Sequence, residues 1–554
     1  MEVLEIINTD VLVIGGGGAG LCAAISSRKE GAEVLLISKS RPGRANNTAI
    51  SDGSFSASTD ERDTPEQHLS DTLVAGRWIN RPEMVSTMTL GAQEQVENLL
   101  SYGVPLQKKD NGKLRIVSLP GHSVARNVVT EKSFGTDFTL PLFNFAKNLG
   151  VNFLAGVFVV HLCRNKHSDI AGALVIDPAR QGLILIQSKA TVLATGGAGQ
   201  IYSQTNNAPG TTGDGYALAF RSGIPLIDME FVQYYPTFML EPSLAKTMVI
   251  YEILVYRGGA RLLNNLGENI ALRHGLKDPS AMTRDALTLA IAKEIKEGRG
   301  INGGVWMDLS TIPGDKIKRF QKFIPRGLKR KKLFLVAPVA HFFMGGILVN
   351  ERGETGIEGL YSAGEVNGGV HGANRLGGNA LTEAWVYGDT TGRLAAQYTR
   401  RKKKVFSIEN LQSTIKDLES YTEGKKQLSV EEVRSRLQHL MWKKAGIIRT
   451  REELSGLVSD IEKLKVKLSD TKASDYKELI NKLETENMLL VGKAVALTAL
   501  LRKESRGAHY REDFPDEGGE QWVKNTYIKG NEGFEMCVSI NPKNKSIVIE
   551  RLGR

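Results

Sequence analysis

The first forty residues alternate between apolar runs and a glycine-rich string. An apolar run over 10–14 is followed by Gly15 to Gly20 and then by an alanine-rich segment. This order predicts a buried strand, a tight turn and the first turn of a helix. A second apolar run, over 33–37, predicts the next strand.

The pattern changes several times further along the chain. A strand-like run over 190–195 again ends in glycines, whereas 236–338 is mixed, with a helix predicted over 283–296. Beyond Arg400 apolar residues recur at helical spacing, and after Trp522 they alternate. We expect two parts of one α/β domain at 1–235 and 339–400, an insertion at 236–338, a helical bundle at 401–521 and a small β segment at 522–554.

The chain is long enough for several structural units, and its charge is unevenly placed. It has 554 residues and a net charge of +11, from 72 Lys and Arg against 61 Asp and Glu. Basic runs lie at 329–332 and 400–404. Such runs are usually solvated, and the alternative is docking to an acidic partner or an anionic membrane surface. Nucleic acid is disfavoured, because no aromatic residues interleave with the basic ones.

The cysteines Cys22, Cys163 and Cys537 are too far apart for the spacing of a metal or redox motif. We therefore expect no metal, no iron–sulfur cluster and no structural disulfide in this chain. The first strand begins almost at once, and no uncharged apolar run reaches about eighteen residues, so neither a leader nor a membrane span is expected. These features predict a cytoplasmic chain, which would reach the inner face of the cytoplasmic membrane only as part of a complex.

The glycines of the first turn have the GxGxxG spacing of a dinucleotide site. Gly15 allows the turn, Gly17 admits a pyrophosphate, and Gly20 lets the helix pack on the strand, while amides at the helix start bind the negative charge. A merely structural turn is the alternative, but the flanking strand and helix favour a dinucleotide. The second strand ends in Ser38 and Lys39, without the acid that holds an NAD ribose, so NAD is disfavoured.

A second glycine-rich string, 371–379, contains His371, Arg375 and Asn379. A guanidinium binds a carboxylate through two parallel hydrogen bonds, which suits Arg375 to clamp a carboxylate. His341, which precedes another pair of glycines, could hold a second oxygen. The alternatives are an arginine that binds a helix C-terminus and a histidine that is satisfied within the core.

Several strings occur in one characteristic order along the chain. They are 15–20, Ala194-Thr-Gly-Gly-Ala-Gly199, Thr212-Gly-Asp-Gly215, Asp228-Met-Glu-Phe-Val-Gln233, 341–347, 359–365, 371–381, 441–447 and 505–513. In this order they resemble the flavoprotein subunit of fumarate reductase and succinate dehydrogenase, whose wider family includes L-aspartate oxidase. The resemblance implies an α/β fold with a two-part Rossmann-like FAD-binding domain, an inserted α+β capping domain, a C-terminal helical bundle and a small C-terminal β segment. It also implies an FAD-dependent oxidoreductase acting on CH–CH groups, of the kind used in anaerobic respiration.

The resemblance gives roles to residues at matching positions. Arg284, within Thr283-Arg284-Asp285, is the candidate proton donor, although on helical pattern alone it could be a surface residue. An arginine normally stays protonated, with a pKa above about 12, so this role needs a relay, and Arg257 and Glu252 lie near the family's relay. The positions implied to bind substrate are His341, Arg375, Tyr235 and His371. The positions implied to bind FAD are Gly15, Gly17, Gly18, Ala19, Gly20, Ser38, Lys39, Asn47, Thr48, Gly53, Ala194, Thr195, Gly196, Asp214, Glu365, Asn379 and Leu381.

The chain departs from the family pattern at the flavin. Asn47 stands where many members carry a histidine that bonds covalently to flavin. An asparagine amide cannot form that bond, so FAD is expected to be non-covalent. The covalent link raises the flavin potential in the family, and its loss makes succinate oxidation less favoured than reduction.

Two further departures fall among the substrate residues. Tyr235 replaces a histidine that helps to bind one substrate carboxylate, and a phenol, with a pKa of about 10, is uncharged at neutral pH. Glu252 lies five residues before Arg257, where the family has three, so either a local insertion preserves the relay or the relay is broken. Counting back from 262–264 puts Tyr256 at the arginine position. These changes favour a substrate other than fumarate.

The sequence leaves three functions open. The first is a flavoprotein subunit that transfers hydride between flavin N5 and an activated C=C or C–C bond of a carboxylate, and exchanges electrons with a separate iron–sulfur partner. Such a partner could also bring the chain to a membrane. The second is a self-contained oxidase like L-aspartate oxidase, and the third is an electron-relay subunit with an altered pocket. Retention of Arg284, His341 and Arg375 argues against the third, because burying such groups costs desolvation energy.

Overall fold

The computed structural model describes residues 1–241, 254–277, 282–314, 316, 332–402, 411–422, 429–530, 536–540 and 547–550. Glu252, predicted to act in a proton relay, lies outside the described residues, as do 329–331 and 403–404 of the basic runs. No helix among the described residues is long and apolar enough to cross a membrane.

The elements are numbered in chain order. The helices are α1 (Gly18–Lys29), α2 (Pro65–Ala75), α3 (Pro82–Ser101), α4 (Thr136–Asn148), α5 (Asp214–Arg221), α6 (Ile270–Arg273), α7 (Arg284–Lys296), α8 (Asn379–Arg401), α9 (Leu411–Ser420), α10 (Val430–Ala445), α11 (Arg451–Ser469) and α12 (Tyr476–Leu501). The strands are β1 (Val3–Ile14), β2 (Val34–Ser38), β3 (Ser54–Ser56), β4 (Ile116–Val117), β5 (Asn127–Val129), β6 (Asn152–Ala155), β7 (Phe158–Arg164), β8 (Ile170–Asp177), β9 (Gly182–Leu193), β10 (Leu226–Ile227), β11 (Val232–Glu241), β12 (Arg261–Leu263), β13 (Val305–Asp308), β14 (Leu333–Phe343), β15 (Gly346–Ile347), β16 (Leu360–Ser362), β17 (Ile448–Arg449), β18 (Tyr510–Arg511), β19 (Asn525–Lys529), β20 (Met536–Ile540) and β21 (Ile547–Glu550).

The largest sheet carries the glycine-rich turn at the end of a central strand. Its order is β6-β2-β1-β9-β8-β7, with β16 beside β9. Strands β6, β2, β1, β9 and β16 run parallel, while β7 and β8 are antiparallel. Apolar residues of β1, β2 and β9 are buried, as in a parallel sheet covered on both faces. The strands predicted over 10–14, 33–37 and 190–195 are confirmed, and β1 begins earlier than predicted, at Val3.

Helix α1 packs on its neighbours with almost no space between the backbones. A Cβ at Gly20 would lie 1.9 Å from the carbonyl oxygen of Gly15 at the end of β1. On the other side of α1, a Cβ at Gly388 of α8 would lie 2.6 Å from the carbonyl oxygen of Ala19. These glycines hold the helix start at the strand end, which fixes the position of the turn.

The segment between β11 and β14 has a hydrophobic core of its own. Its sheet has the order β11-β14-β13-β12, and α7 packs against β11. The buried residues of this core run from Met239 to Val336, within the segment predicted to be inserted. The helix predicted over 283–296 is α7. This insertion is called the cap below.

The C-terminal helices begin at clear caps and pack on the main sheet. Ser429 and Glu432 form a capping box at α10, and the side chains of Thr450 and Asp475 accept backbone hydrogen bonds at α11 and α12. Apolar residues of α9 and α12 cover one face of β7, β8 and β9. This packing brings Glu484 of α12 to Lys39 at the end of β2.

The strands after Trp522 extend a sheet of the first domain. Strand β19 pairs antiparallel with β10, giving the order β15-β10-β19-β20-β21. Asp228, with a left-handed φ of 58°, accepts hydrogen bonds from the Asn525 amide at 2.7 Å and the Thr526 backbone at 3.0 Å. Alternation after 522 predicts a small β segment, and the structure attaches its first strand to β10.

Candidate active site

One elongated cavity runs from the glycine-rich turn to the cap. At one end its walls are the turn after β1 and the ends of β2 and β9, and at the other end they include Tyr235, Arg284, His341 and Arg375. The carboxyl ends of parallel strands are where open α/β sheets bind ligands. Of the positions predicted to bind FAD, the walls contain Gly15, Gly17, Gly18, Ala19, Ser38, Lys39, Asn47, Thr48, Ala194, Thr195, Gly196, Asp214, Glu365 and Leu381.

Three predicted FAD positions lie behind the wall and do not line the cavity. Gly20 packs α1 on β1, and the carbonyl of Gly53 accepts a hydrogen bond from the Thr130 amide at 3.0 Å. The buried amide of Asn379 lies 2.8 Å from His68 and 3.0 Å from Thr72, which joins α8 to α2. These residues support the wall, because their space is taken up by neighbouring protein atoms.

The turn after β1 fits a pyrophosphate. It leads into the N-terminus of α1, where amides and the positive end of the helix dipole favour an anion. A Cβ at Gly17 would meet nothing closer than Thr48, at 3.7 Å, so the backbone is open to the cavity. Within the described part of the chain, the buried Thr195 hydroxyl has no hydrogen-bond partner. The open glycine backbone and this hydroxyl, in a cavity whose walls extend from the turn to the cap, fit the dinucleotide FAD.

Lys39 ties the cofactor end of the cavity to the C-terminal helices. Its ammonium donates to Thr212 at 2.7 Å, Asp214 at 2.6 Å and Glu484 at 2.7 Å. Burial opposes its charge, but the two carboxylates outweigh burial and raise the pKa of Lys39. Lys39 is therefore held as a cation at the start of α5, and no pattern in the sequence indicates Glu484 as its partner.

Asn47 lies in a polar network at the centre of the cavity. Its amide donates to Asn207 at 3.0 Å and to Glu365 at 3.4 Å, and its oxygen accepts from the Ala208 backbone at 2.9 Å. Burial raises the pKa of the Glu365 carboxyl to about 7. Glu365 can therefore hold or release a proton near neutral pH inside the cavity.

Aromatic rings and cationic side chains alternate at the substrate end. The Arg284 guanidinium lies over the Tyr235 ring at 4.9 Å, and the Arg375 guanidinium lies over the Phe342 ring at 4.7 Å. The Tyr235 and His341 rings meet edge to face at 5.3 Å. The structure therefore brings together four predicted residues, Tyr235, Arg284, His341 and Arg375, in one wall of the cavity.

Gln233 joins the two arginines, and sequence reasoning missed this role. Its side-chain oxygen accepts from Arg375 at 2.8 Å and from Arg284 at 3.5 Å. Its amide nitrogen donates to the Arg375 carbonyl at 2.8 Å and to Asn374 at 3.1 Å, which fixes the orientation of the amide. Side chains alternate between the two faces of a strand, so Gln233 and Tyr235 lie on the same face of β11. This two-residue period is the sequence signal that could have linked Gln233 to the site.

His341 is neutral when no anion is bound. Burial first, and then the charges of Arg284 and Arg375, lower the pKa of His341 well below its ordinary value. One ring nitrogen lies 3.1 Å from the Asn206 side-chain oxygen. A bound carboxylate would offset the arginine charges and favour protonation of this ring.

Two predicted residues are not at the cavity. His371 is buried, with its ring nitrogen 2.9 Å from Glu383 and its ring against Phe342, so it supports the wall and does not face substrate. The Arg257 side chain is exposed on the π-helical turn Leu254–Gly258, whereas its neighbour Tyr256 is buried. Tyr256 lines a second cavity together with Arg284 and Arg375. A difference of one residue in position along this turn therefore places a tyrosine, and not an arginine, near Arg284.

Comparison with known proteins covers almost the whole chain. Residues 10–381 match the family model of an FAD binding domain, and 434–550 match that of the fumarate reductase flavoprotein C-terminus. One of the subunits of the fumarate reductase (CoM/CoB) from Methanothermobacter marburgensis is 35% identical, over 95% of this chain and 97% of its own. An L-aspartate oxidase from Acinetobacter baylyi is 31% identical, over 94% of this chain and 95% of its own. A variant of the FrdA protein of E. coli quinol fumarate reductase superposes with a TM-score of 0.89 at 25% identity, covering 99% of this chain and 97% of that one.

Proposed function

Because the chain belongs to the family of fumarate reductase and succinate dehydrogenase flavoprotein subunits, which are FAD-dependent oxidoreductases acting on CH–CH groups, we propose that it reduces the activated double bond of a small unsaturated carboxylate. One observation carries this proposal. Tyr235, Arg284, His341 and Arg375 stand in the wall of the same cavity as the glycine-rich turn. FAD bound there would, when reduced, supply a hydride from its N5.

The side chains at the substrate end divide the remaining work. Arg375 binds a carboxylate through its planar fork, and Gln233 keeps that fork in place. His341 and Tyr235 hold the other end of the molecule, where a bound carboxylate would favour protonation of His341 against the burial and the arginine charges that lower its pKa. Arg284 gives the proton that the second carbon needs, since it is the cation that reaches the cavity from the cap side.

We propose that FAD is bound without a covalent link and that reduction is the favoured direction. Asn47 has both its amide nitrogen and its oxygen engaged with Asn207, Glu365 and Ala208. An amide in this position is not a nucleophile toward a flavin methyl group. The unlinked cofactor would have a lower potential than a covalently linked one, and would give up electrons more readily.

Electrons would come from a separate iron–sulfur protein. Cys22 and Cys163 are both buried, in α1 and β7, and the spacing of the three cysteines along the chain does not match a cluster motif. Among the described residues, Arg400 and Lys402 of the second basic run pair with Glu30 and Asp169 of this chain. Because these two side chains already pair with acidic residues of this chain, this part of the second basic run is not favoured as the docking surface for the partner.

A self-contained oxidase like L-aspartate oxidase is the second candidate. Asn47 is the observation that favours it, because the non-covalent FAD expected there suits such an oxidase, and one relative is an L-aspartate oxidase. An oxidase would be reoxidised by oxygen or fumarate without a protein partner. It would take an amine-containing substrate in the same cavity.

The two candidates separate in one experiment. The FAD-loaded chain is reduced under anaerobic conditions, and flavin absorbance is followed as fumarate, other enoates and finally air are added. Rapid reoxidation by fumarate or another enoate, without flavin reduction by L-aspartate, supports the reductase. Rapid reoxidation by air, together with flavin reduction by L-aspartate, supports the oxidase whether or not fumarate also reoxidises the flavin, and no response to any enoate removes the reductase proposal.

A further inference from the structure

A second cavity lies on the solvent side of the two active-site arginines. It shares Arg284, Arg375 and Leu119 with the first cavity, and Tyr256 of the cap forms part of its wall. Its outer wall includes Val74, which is 55% exposed, so the cavity leads to the protein surface. Arg284 therefore contacts both the substrate space and a path to solvent.

This position matters because an arginine that donates its proton must regain it. Reduction of a C=C bond adds a hydride to one carbon and a proton to the other, and the reduced cofactor supplies only the hydride. A guanidinium that has given its proton is a neutral base, whose conjugate acid has a pKa above about 12. The group that restores it must be able both to donate a proton and to accept one.

Among the described residues that line the second cavity, few groups can do this. The hydroxyl groups of these residues are those of Tyr256 and Thr283, and their other polar side chains are arginines and Asn374. A tyrosine, with a pKa of about 10, is a stronger acid than the guanidinium, whereas a neutral water molecule is a weaker one. Direct proton transfer from tyrosine is therefore downhill, whereas direct transfer from a water molecule is uphill and must be followed by neutralisation of the hydroxide that it leaves.

We propose that Tyr256 returns the proton to Arg284 and is itself reprotonated from solvent through the second cavity. The proposal rests on the proposed reductase function. The Tyr256 O–H bond breaks as the guanidine N–H bond forms, and the tyrosinate then takes a proton from solvent, so charge and protons balance over a turnover. Tyr256 is 9% exposed, while the neighbouring Arg257 is exposed and does not line either cavity. Tyr256 acts through Arg284 and supplies its proton.

The distinguishing measurement compares the first turnover with later ones. In the FAD-loaded Tyr256→Phe variant, Arg284 still carries its resident proton, so reoxidation of reduced flavin by fumarate in a single turnover stays within about twofold of wild type. Steady-state turnover needs Arg284 to be recharged, so kcat falls by about tenfold or more while KM changes little. The solvent deuterium isotope effect on kcat rises. Tyr256→Ala with added phenol recovers part of the lost rate, which a purely structural role would not allow.

Binding and a second tyrosine provide the controls. The dissociation constant for succinate, read from the change in flavin absorbance, is unchanged in Tyr256→Phe. Tyr398→Phe, at a half-buried tyrosine that packs on Tyr361 and lines neither cavity, keeps wild-type turnover.

Each outcome decides between the two proposals. Wild-type turnover in Tyr256→Phe, or equal slowing of single and steady-state turnover, overturns the role of Tyr256 alone. A loss of steady-state rate in Arg257→Ala with Tyr256→Phe unaffected also overturns it. A wild-type chain that reduces no enoate removes the reductase function, and the role of Tyr256 with it.

Discussion

The two ends of the main cavity are built in different ways. The cofactor end is built around a glycine turn between β1 and α1, with the ends of β2 and β9 beside it. The substrate end is made of side chains from β11, α7, β14 and the loop before α8. Backbone shape allows few substitutions, whereas side chains can change one at a time. Two of the three departures from the family pattern, Tyr235 and Tyr256, lie toward the cap, and the third, Asn47, is also a change of side chain that leaves the glycine turn intact.

Adding a methyl group at Gly20 should have the largest effect on the folding and FAD binding of the cofactor end. The new Cβ would lie 1.9 Å from the backbone oxygen of Gly15, and neither backbone can move without displacing α1 or β1. We expect Gly20→Ala to cost about 3 kcal/mol or more of stability and to leave the purified chain with little FAD. Flavin absorbance and thermal unfolding measure both effects. Gly314→Ala is the control, because a Cβ at Gly314 of the cap meets nothing within 4 Å. Full FAD content in Gly20→Ala would mean that the backbone does not set the cofactor end.

Replacing Arg284 should remove most of the catalytic activity at the substrate end and leave FAD binding at the cofactor end unchanged. Loss of a general acid lowers rates by about 10² to 10⁴, so Arg284→Ala should lose that factor in kcat with fumarate or the best enoate found. FAD content should match wild type, because Arg284 lies at the cap side of the cavity. Lys296→Ala, on the same helix and in an exposed pair with Glu512, is the control. A variant that loses FAD along with activity would show that the two ends are not separable.

Lys39 tests whether side chains also matter at the cofactor end. Lys39→Met would leave Asp214 and Glu484 without their shared cation, although Arg434 still lies 3.2 Å from Glu484. Since Lys39 is partly exposed, we expect a cost of about 1.4 kcal/mol, or roughly tenfold weaker FAD binding. Titration of the FAD-free chain with FAD measures it. Lys189→Met, which breaks a comparable pair with Asp10 away from the cavity, should leave FAD affinity unchanged.

The same contrast governs what could be predicted from sequence. Spacing of Gly15, Gly17 and Gly20 predicts the turn, because local backbone geometry alone imposes it. The resemblance also identified Arg284, His341 and Arg375, which the fold brings together from distant positions. The strand period could place Gln233 on the same face as Tyr235, but not reveal its bridging role, which depends on where the Arg375 side chain ends. Nor could the sequence choose between Arg257 and Tyr256, because a one-residue shift in the π-helical turn decides which side chain is buried.

Removing the Tyr235 hydroxyl would measure how far the substrate end has been altered. One neutral hydrogen bond contributes about 0.5 to 1.5 kcal/mol, so Tyr235→Phe should raise the dissociation constant of succinate by roughly two- to thirteenfold. Tyr234→Phe is the matched control, because Tyr234 lies on the opposite face of β11, with its hydroxyl 3.4 Å from the Ala445 carbonyl. An unchanged dissociation constant in Tyr235→Phe would mean that this hydroxyl does not meet the ligand.

The smallest expected effect is a proton taken up when an anion binds at the substrate end. Burial and then the charges of Arg284 and Arg375 lower the pKa of His341 well below its ordinary value, so the free site holds a neutral ring at pH 7. A dicarboxylate brings negative charge and raises that pKa, so binding is coupled to protonation. Affinity should then fall as pH rises through the pKa of the bound state, by up to about tenfold per pH unit. Calorimetry of succinate binding in buffers of different ionisation enthalpy counts the proton. His341→Gln should remove the uptake, and Glu365→Gln, done in parallel, separates it from the Glu365 carboxyl with its pKa of about 7. Equal heats in all buffers would show that the ring stays neutral, and that the arginines alone carry the charge of the substrate end.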